Sequence, residues 1–176
     1  RDDLPDGGSA IWAMTIRAIR KNSPGITLET LIPDFKGIIE NIERVFAEKP
    51  EVLSHNLETV KRLTKQVRVQ AKYERSLEVL KKAKEYGLKT KSGIMLGLGE
   101  TEKEIYETMD DLRDAKVDVL TLGQYLQPTK NHLPVTEFIH PDKFALYKKI
   151  GLTKNFAFVE SSPLTRSSYH ANEHVF

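Results

Sequence analysis

The chain has 176 residues, of which 39% are hydrophobic and 30% charged, with a net charge of +2 and no cysteine. That length supports one sizeable core, so a single domain or one large piece of a barrel is expected. Near-balanced charge without a basic block argues against a nucleic-acid surface, and no apolar run approaches the roughly 18 residues of a membrane span, so a soluble protein is predicted. The missing cysteines exclude disulfides and cysteine-ligated metal within these residues. No signal peptide opens the chain and Arg1 is not an initiator residue, so we expect a sequence that begins inside a longer protein.

The first stretch, Arg1-Asp2-Asp3-Leu4-Pro5-Asp6-Gly7-Gly8-Ser9, is polar and turn-rich. Ile11, Trp12, Ile16 and Ile19 follow at roughly helical spacing, with Ser9 the expected N-cap and a stop near Asn22-Ser23-Pro24-Gly25. Ile26 to Ile32 reads as a strand. The next helix carries Ile38, Ile42, Val45 and Phe46 on one face and ends before Pro50. Val52 to Asn56 is a second strand, whose end passes into Glu58-Thr59-Val60. A helix from about Tyr73 to Tyr86 turns Leu77, Leu80 and Ala83 inward and stops at Gly87.

Residues 90–96 form the strand around which the chain is organised. Ile94-Met95-Leu96 is its apolar core, and Gly97 and Gly99 read as a tight turn into a helix from Glu102 to Ala115. Thr101 and Glu104 have capping-box spacing. The Gly97-x-Gly99 pair lacks the third glycine of a dinucleotide fingerprint, so that reading fails. Val117 to Leu122 is another strand, His140-Pro141-Asp142 starts a helix with proline at its first position, and Phe156 to Glu160 is the last strand. Residues 161–176 read as an irregular tail. Strands and helices alternate throughout, which is the pattern of parallel α/β architecture, and a partial (βα) barrel is favoured over an open doubly wound sheet.

Polar clusters gather where strands end: Asp2-Asp3 with Pro5-Asp6-Gly7-Gly8, His55-Asn56 with Glu58, Gly97 to Glu100, and Gln124 with Gln127. Each has an ordinary explanation as turn or cap. Together they would face one barrel mouth. That mouth holds carboxylates, amides and small residues but no nucleophile–base pair, so no catalytic residue is named and a cofactor is expected to carry the chemistry. His170 and His174 have i,i+4 spacing but lie in the tail, and a metal pair there is not favoured. Arg62, Arg68 and Arg75 read as structural or solvated, and Lys81-Lys82-Lys84 as an exposed helix face.

Gly93-Ile94-Met95-Leu96-Gly97-Leu98-Gly99-Glu100 resembles the Gly-x-Ile-x-Gly-x-x-Glu element of radical S-adenosylmethionine enzymes. Five further blocks resemble the lipoyl synthases in the same order: Arg1 to Gly8, Ile32-Pro33-Asp34-Phe35, His55 to Val60, Leu122 to Thr129, and Pro163-Leu164-Thr165-Arg166-Ser167-Ser168-Tyr169. The resemblance implies a radical S-adenosylmethionine barrel portion over residues 1–160 and a tail, 161–176, carrying an Arg-Ser-Ser-Tyr motif. It implies S-adenosylmethionine and two [4Fe–4S] clusters as cofactors. One cluster cleaves S-adenosylmethionine to a 5′-deoxyadenosyl radical, which abstracts hydrogen from C6 and C8 of a protein-bound octanoyl chain; the auxiliary cluster is consumed as the sulfur source.

By position in that family, Asn56 and Glu58 would hold polar parts of S-adenosylmethionine. Gly97, Leu98 and Gly99 would meet the adenine, and Gln127 would help from the next strand. Ser167, in preference to Ser168, would ligate the auxiliary cluster. The implied partners are octanoylated lipoyl carrier domains and an electron donor such as a flavodoxin or ferredoxin; the implied location is cytoplasmic, or organellar in a eukaryote. The family's cysteine triads have no counterpart here, so the activity is expected of a longer parent protein. Two alternatives are a βα-barrel lyase or isomerase binding a phosphorylated metabolite at Gly97 to Thr101, and a non-catalytic module that docks carrier domains.

Overall fold

The computed structural model describes residues 3–175; Asp2 of the first polar cluster lies outside the described residues. Five strands form one parallel sheet: β1 (Glu29–Leu31), β2 (Val52–Ser54), β3 (Lys89–Leu96), β4 (Val119–Gln124) and β5 (Phe158–Ser161). Their order across the sheet is their order in the chain. A doubly wound sheet reverses direction at a switch point; this one does not, and it forms an arc of a barrel.

The helices are α1 (Ser9–Asn22), α2 (Ile39–Phe46), α3 (Thr64–Val67), α4 (Tyr73–Glu85), α5 (Glu102–Asp114) and α6 (Pro141–Thr153). Short 3-10 turns lie at Phe35–Gly37, Lys61–Leu63 and Ala171–His174. Local signals account for most ends. Thr101 and Glu104 close the expected capping box on α5, His140 caps α6 with Pro141 in its first turn, and Gly87 leaves α4 at φ 80°. Among the described residues, no helix is long and apolar enough to cross a membrane.

Several sequence expectations are corrected: the first strand starts at Glu29 rather than Ile26, the second ends at Ser54 rather than Asn56, and the last starts at Phe158 rather than Phe156. Ser9 is the first residue of α1 rather than its cap; Gly8 takes that place at φ 81°, and the Asp6 carboxylate accepts from the Gly8 and Ala10 N–H groups at 2.9 and 3.0 Å. Those donors lower the Asp6 pKa. Ser9 is buried and its hydroxyl instead accepts from Arg44 (2.7 Å) and meets Asn41 (3.2 Å). The fourth strand starts at Val119, two residues late, because the Val117 N–H is held by the Leu112 carbonyl (3.0 Å) at the end of α5. The turn at 61–63 and α3 were not anticipated.

Strand side chains alternate between two faces. On the outer face Leu53, Ile94, Leu96, Leu120, Leu122 and Val159 are buried in clusters with Ile42, Val45, Phe46, Leu80, Met109 and Leu112 from the helices. Each such burial stabilises by roughly 1.5–3 kcal/mol. The opposite parity places Glu29, Ser54, Lys91, Gly93, Thr121, Gly123 and Glu160 on the inner face, where residues 162–175 return against the sheet.

Candidate functional site

A cleft of about 340 Å³ opens at the carboxyl ends of β2, β3 and β4. Asn56, Glu58, Gly93, Thr121, Gly123 and Ser167 line it. Glu58 is placed by its backbone: at φ 65° its N–H donates to the Gly93 carbonyl (2.9 Å) and its own carbonyl accepts from Met95 (2.9 Å). This left-handed residue, costly for a side chain bearing a Cβ, is held by two bonds to β3. The Asn56 amide donates to the Glu58 carboxylate at 3.1 Å. Burial raises the Glu58 pKa against the opposing pull of Asn56 and the Arg68 guanidinium.

Asn56 Oδ1 is buried and accepts no hydrogen bond. A buried unpaired acceptor is costly, and a ligand donor would remove that cost. Gly93 makes the adjoining notch: a Cβ there would stand 2.3 Å from Thr121 Oγ1 and 3.4 Å from Asn56 Oδ1. Arg68 supports the same corner from behind, donating to the Asn56 carbonyl (3.0 Å) and Ser76 Oγ (3.2 Å). Its expected structural role is what the geometry shows.

The tail supplies another wall. Ser162 N–H donates to the Leu122 carbonyl (3.2 Å) and Gln124 N–H to the Pro163 carbonyl (3.2 Å). The Thr165 carbonyl then lies so near β4 that a Cβ on Gly123 would be 2.4 Å from it. Ser167 consequently reaches the cleft half-buried, whereas Ser168 is exposed and outside its lining.

Of the other residues named from sequence, Gln124 lines the cleft as well, and the rest fall elsewhere. Gly97 at φ 97° sits under a returning segment: Thr136 N–H donates to its carbonyl (2.8 Å), and a Cβ would be 2.3 Å from the Glu137 carbonyl. Leu98 is buried with Val60, Leu63 and Tyr125, and Gly99 faces Thr136. None of these three lines the cleft. The Gly97 and Leu98 N–H groups donate to Glu100 at 2.6 and 3.0 Å. Gln124 braces the 137–139 segment through the Glu137 carbonyl (3.0 Å) and Ile139 N–H (2.9 Å), while exposed Gln127 donates to the His132 carbonyl (2.8 Å).

His55 points away from the cleft residues. Its ring is buried between the Ile32 carbonyl (2.8 Å) and Ser76 Oγ (2.9 Å), and burial lowers its pKa to about 4. His170 and His174 do not share one group of ligand atoms. His170 lies with Glu160 and Glu173, where one ligand atom from each falls within 4.8 Å of the others, but Lys148 Nζ is already 3.7 Å from Glu160. His174 meets Lys91. A second cleft of about 380 Å³ near Asp34, Phe35 and Arg75 has its main charges paired, with Arg75 Nε 2.7 Å from Asp34.

Sequence reasoning missed Thr121 and Gly123 as cleft walls, and Gly93 as its notch. Small or polar residues recurring at alternate positions within apolar strands were the available signal.

Comparison with known proteins gives this arrangement a class. The Radical SAM superfamily matches residues 2–112, and the chain belongs to that superfamily. Within it, curated proteins that it resembles include lipoyl synthases. It is 66% identical to the lipoyl synthase of Flavobacterium johnsoniae over 99% of this chain and 61% of that protein. It is 61% identical to the mitochondrial lipoyl synthase of Nematostella vectensis, over 99% of this chain and 60% of that protein. The chain thus spans about three-fifths of these relatives' length. Among solved structures, a domain of pyruvate-formate lyase-activating enzyme from Bacteroides vulgatus matches with TM-score 0.60 at 12% identity, covering 87% of this chain and 93% of that one. Methylornithine synthase matches with TM-score 0.63 at 10% identity, covering 90% and 54%. The expected partial radical S-adenosylmethionine barrel is the observed fold.

Proposed function

We propose that this chain is the S-adenosylmethionine-binding part of a lipoyl synthase, an enzyme that inserts two sulfur atoms at C6 and C8 of a protein-bound octanoyl chain. The observation that carries the reading is the buried, unpartnered Asn56 Oδ1 beside Glu58 and the Gly93 notch. Such acceptors suit a ligand bearing an ammonium group and hydroxyls, so this acceptor set fits S-adenosylmethionine. Gly97, Leu98 and Gly99, beyond the end of the same strand, and Gln127 lie outside the cleft lining, so the adenine contact proposed for the three and the supporting contact proposed for Gln127 rest on the family resemblance alone. In the parent enzyme so proposed, S-adenosylmethionine with a [4Fe–4S] cluster would supply the hydrogen abstraction, and an auxiliary cluster would supply the sulfur.

The residues of this chain bind and orient. Asn56 and Glu58 hold polar groups, Gly93 lets Thr121 Oγ1 and Asn56 Oδ1 approach its backbone at the cleft wall, and Ser167 is the assigned oxygen ligand of the auxiliary cluster. With no cysteine in the sequence, these residues do not by themselves fit a thiolate-held cluster. The proposed partners are octanoylated lipoyl carrier domains and a flavodoxin- or ferredoxin-like electron donor. The proposed compartment is the cytoplasm, or an organelle in a eukaryote. A phosphate-binding barrel enzyme is disfavoured because the Glu100 carboxylate occupies the Gly97 and Leu98 N–H groups.

The test is anaerobic reconstitution, with iron and sulfide, of the full polypeptide containing this chain, followed by reaction with an octanoyl-lysine peptide. Substrate-dependent 5′-deoxyadenosine and a lipoyl product by mass spectrometry are expected. A reconstituted protein that consumes no S-adenosylmethionine would overturn the reading.

A further inference from the structure

The inner face of β3 carries a lysine with no exposed surface: Lys91 is 0% exposed. An ammonium so placed requires partners. Among the described residues it has two, each far away in sequence. Glu29 Oε2 on β1 lies 3.0 Å from Nζ, and Nδ1 of His174 lies 3.1 Å from it. His174 is itself 0% exposed, and its ring centroid lies 5.5 Å from that of Phe158 on the inner face of β5. Its Nε2 is buried without a partner, so the polar attachment of this ring rests on the Nδ1 contact with Lys91.

These contacts give the tail two fixed ends. One is β5 itself, extended by the Ser162 and Pro163 backbone bonds to β4; the other is the 3-10 turn Ala171–His174 seated on Lys91. Between them, the Thr165 carbonyl packs on Gly123 and Ser167 enters the cleft. A segment held at both ends has a defined path, whereas one held at a single end samples many. We propose that the Lys91–His174 contact is the anchor that holds residues 162–175 across the inner face and so sets Ser167 at the cleft. His174 is a positioning residue. The anchor rests on the fold; its consequence for the reaction rests on Ser167 being the cluster ligand, as proposed above.

For Nδ1 to accept from an ammonium it must be unprotonated. Burial and the Lys91 charge both lower the His174 pKa, with Glu160 and Glu173 opposing and His170 adding to the lowering. Glu29 faces the same ammonium from β1. Acid should therefore loosen the tail by protonating His174.

The test is timed trypsin cleavage after Arg166 in the full polypeptide, normalised to an unstructured peptide of the same sequence. His174→Ala is expected to speed cleavage about tenfold, the scale of losing a hydrogen bond to a charged group. His174→Asn, whose amide oxygen can accept from Lys91, is expected to stay within about twofold of wild type. Between pH 7 and 5 wild-type protection should fall, while the Asn variant, which retains His170 and every carboxylate, should show less change. Cleavage of the Ala variant at the wild-type rate would overturn the anchor, as would an Asn variant as labile as the Ala variant. Should the Ala variant not fold, the wild-type and Asn pH profiles decide, and identical profiles overturn it. A protein that shows this protection but makes no lipoyl product would sink the proposed function and leave the anchor standing.

Discussion

On the outer face of the sheet stand Leu53, Ile94, Leu120 and Val159; one position along, on the inner face, stand Ser54, Gly93, Thr121 and Glu160. The outer set meets helices and is buried at 3% exposure or less. The inner set meets a cleft and a returning tail, and Ser54 in it, like Asn56 just beyond the end of β2, has a buried polar atom without a partner. Folding energy therefore comes mainly from one side of each strand, which leaves the other side free to keep polar, small and unpaired groups that binding requires. Stability and binding should respond to different substitutions on adjacent residues.

The largest expected effect is on the outer face. Leu120→Ala removes a fully buried side chain and should destabilise the fold by about 2–5 kcal/mol in urea unfolding. Its inner-face neighbours should behave otherwise. Gly93→Ala places a Cβ against Thr121 Oγ1 and fills the notch, so S-adenosylmethionine affinity, read by calorimetry, should fall at least about tenfold, a loss of roughly 1.4 kcal/mol. Adding Thr121→Ala should recover part of any lost stability but not the notch. Asn56→Ala should weaken the same binding about tenfold and cost only about 1 kcal/mol of stability, because it loses the amide's hydrogen bond to Glu58 but also removes a buried acceptor that has no protein partner.

Smaller effects sharpen the contrast. Thr101→Ala breaks the α5 capping box and should cost about 1 kcal/mol without touching ligand affinity. Glu58 tests the energetic burden of the inner face through pH. Its folded pKa is raised by burial, so the fold favours the neutral acid; that contribution is complete below the ordinary carboxyl pKa and is lost as pH rises through the raised one. Glu58→Gln should therefore be more stable than wild type at neutral pH, with the gain shrinking to nothing below about pH 4. Denaturant midpoints across that range check the sign.

Much of this division was legible in the sequence. The strands at 90–96 and 52–56, the capping box at Thr101, Pro141 at the first turn of α6 and Gly87 at the end of α4 are local signals, and the structure follows them. Ser9 misled because a good capping residue stood next to a glycine already in the left-handed conformation, with Asp6 within reach of the same N–H groups. Asn56 and Glu58 could be placed at a strand end, but the left-handed turn that lays Glu58 along β3 depends on partners about 35 residues away. Lys91 is the clearest limit. In sequence it reads as an ordinary charged residue at a strand entry, and only the return of His174 from the end of the chain explains its burial.

Hydrogen exchange on the full polypeptide, with and without S-adenosylmethionine, tests the central claim most directly. Binding at the inner-face cleft should slow exchange at 56–58, 93–95 and 121–124 while leaving the α1–α2 surface unchanged. Protection confined to the other cleft, around Asp34 and Arg75, with residues 56–58 and 93–95 unaffected, would contradict the assignment.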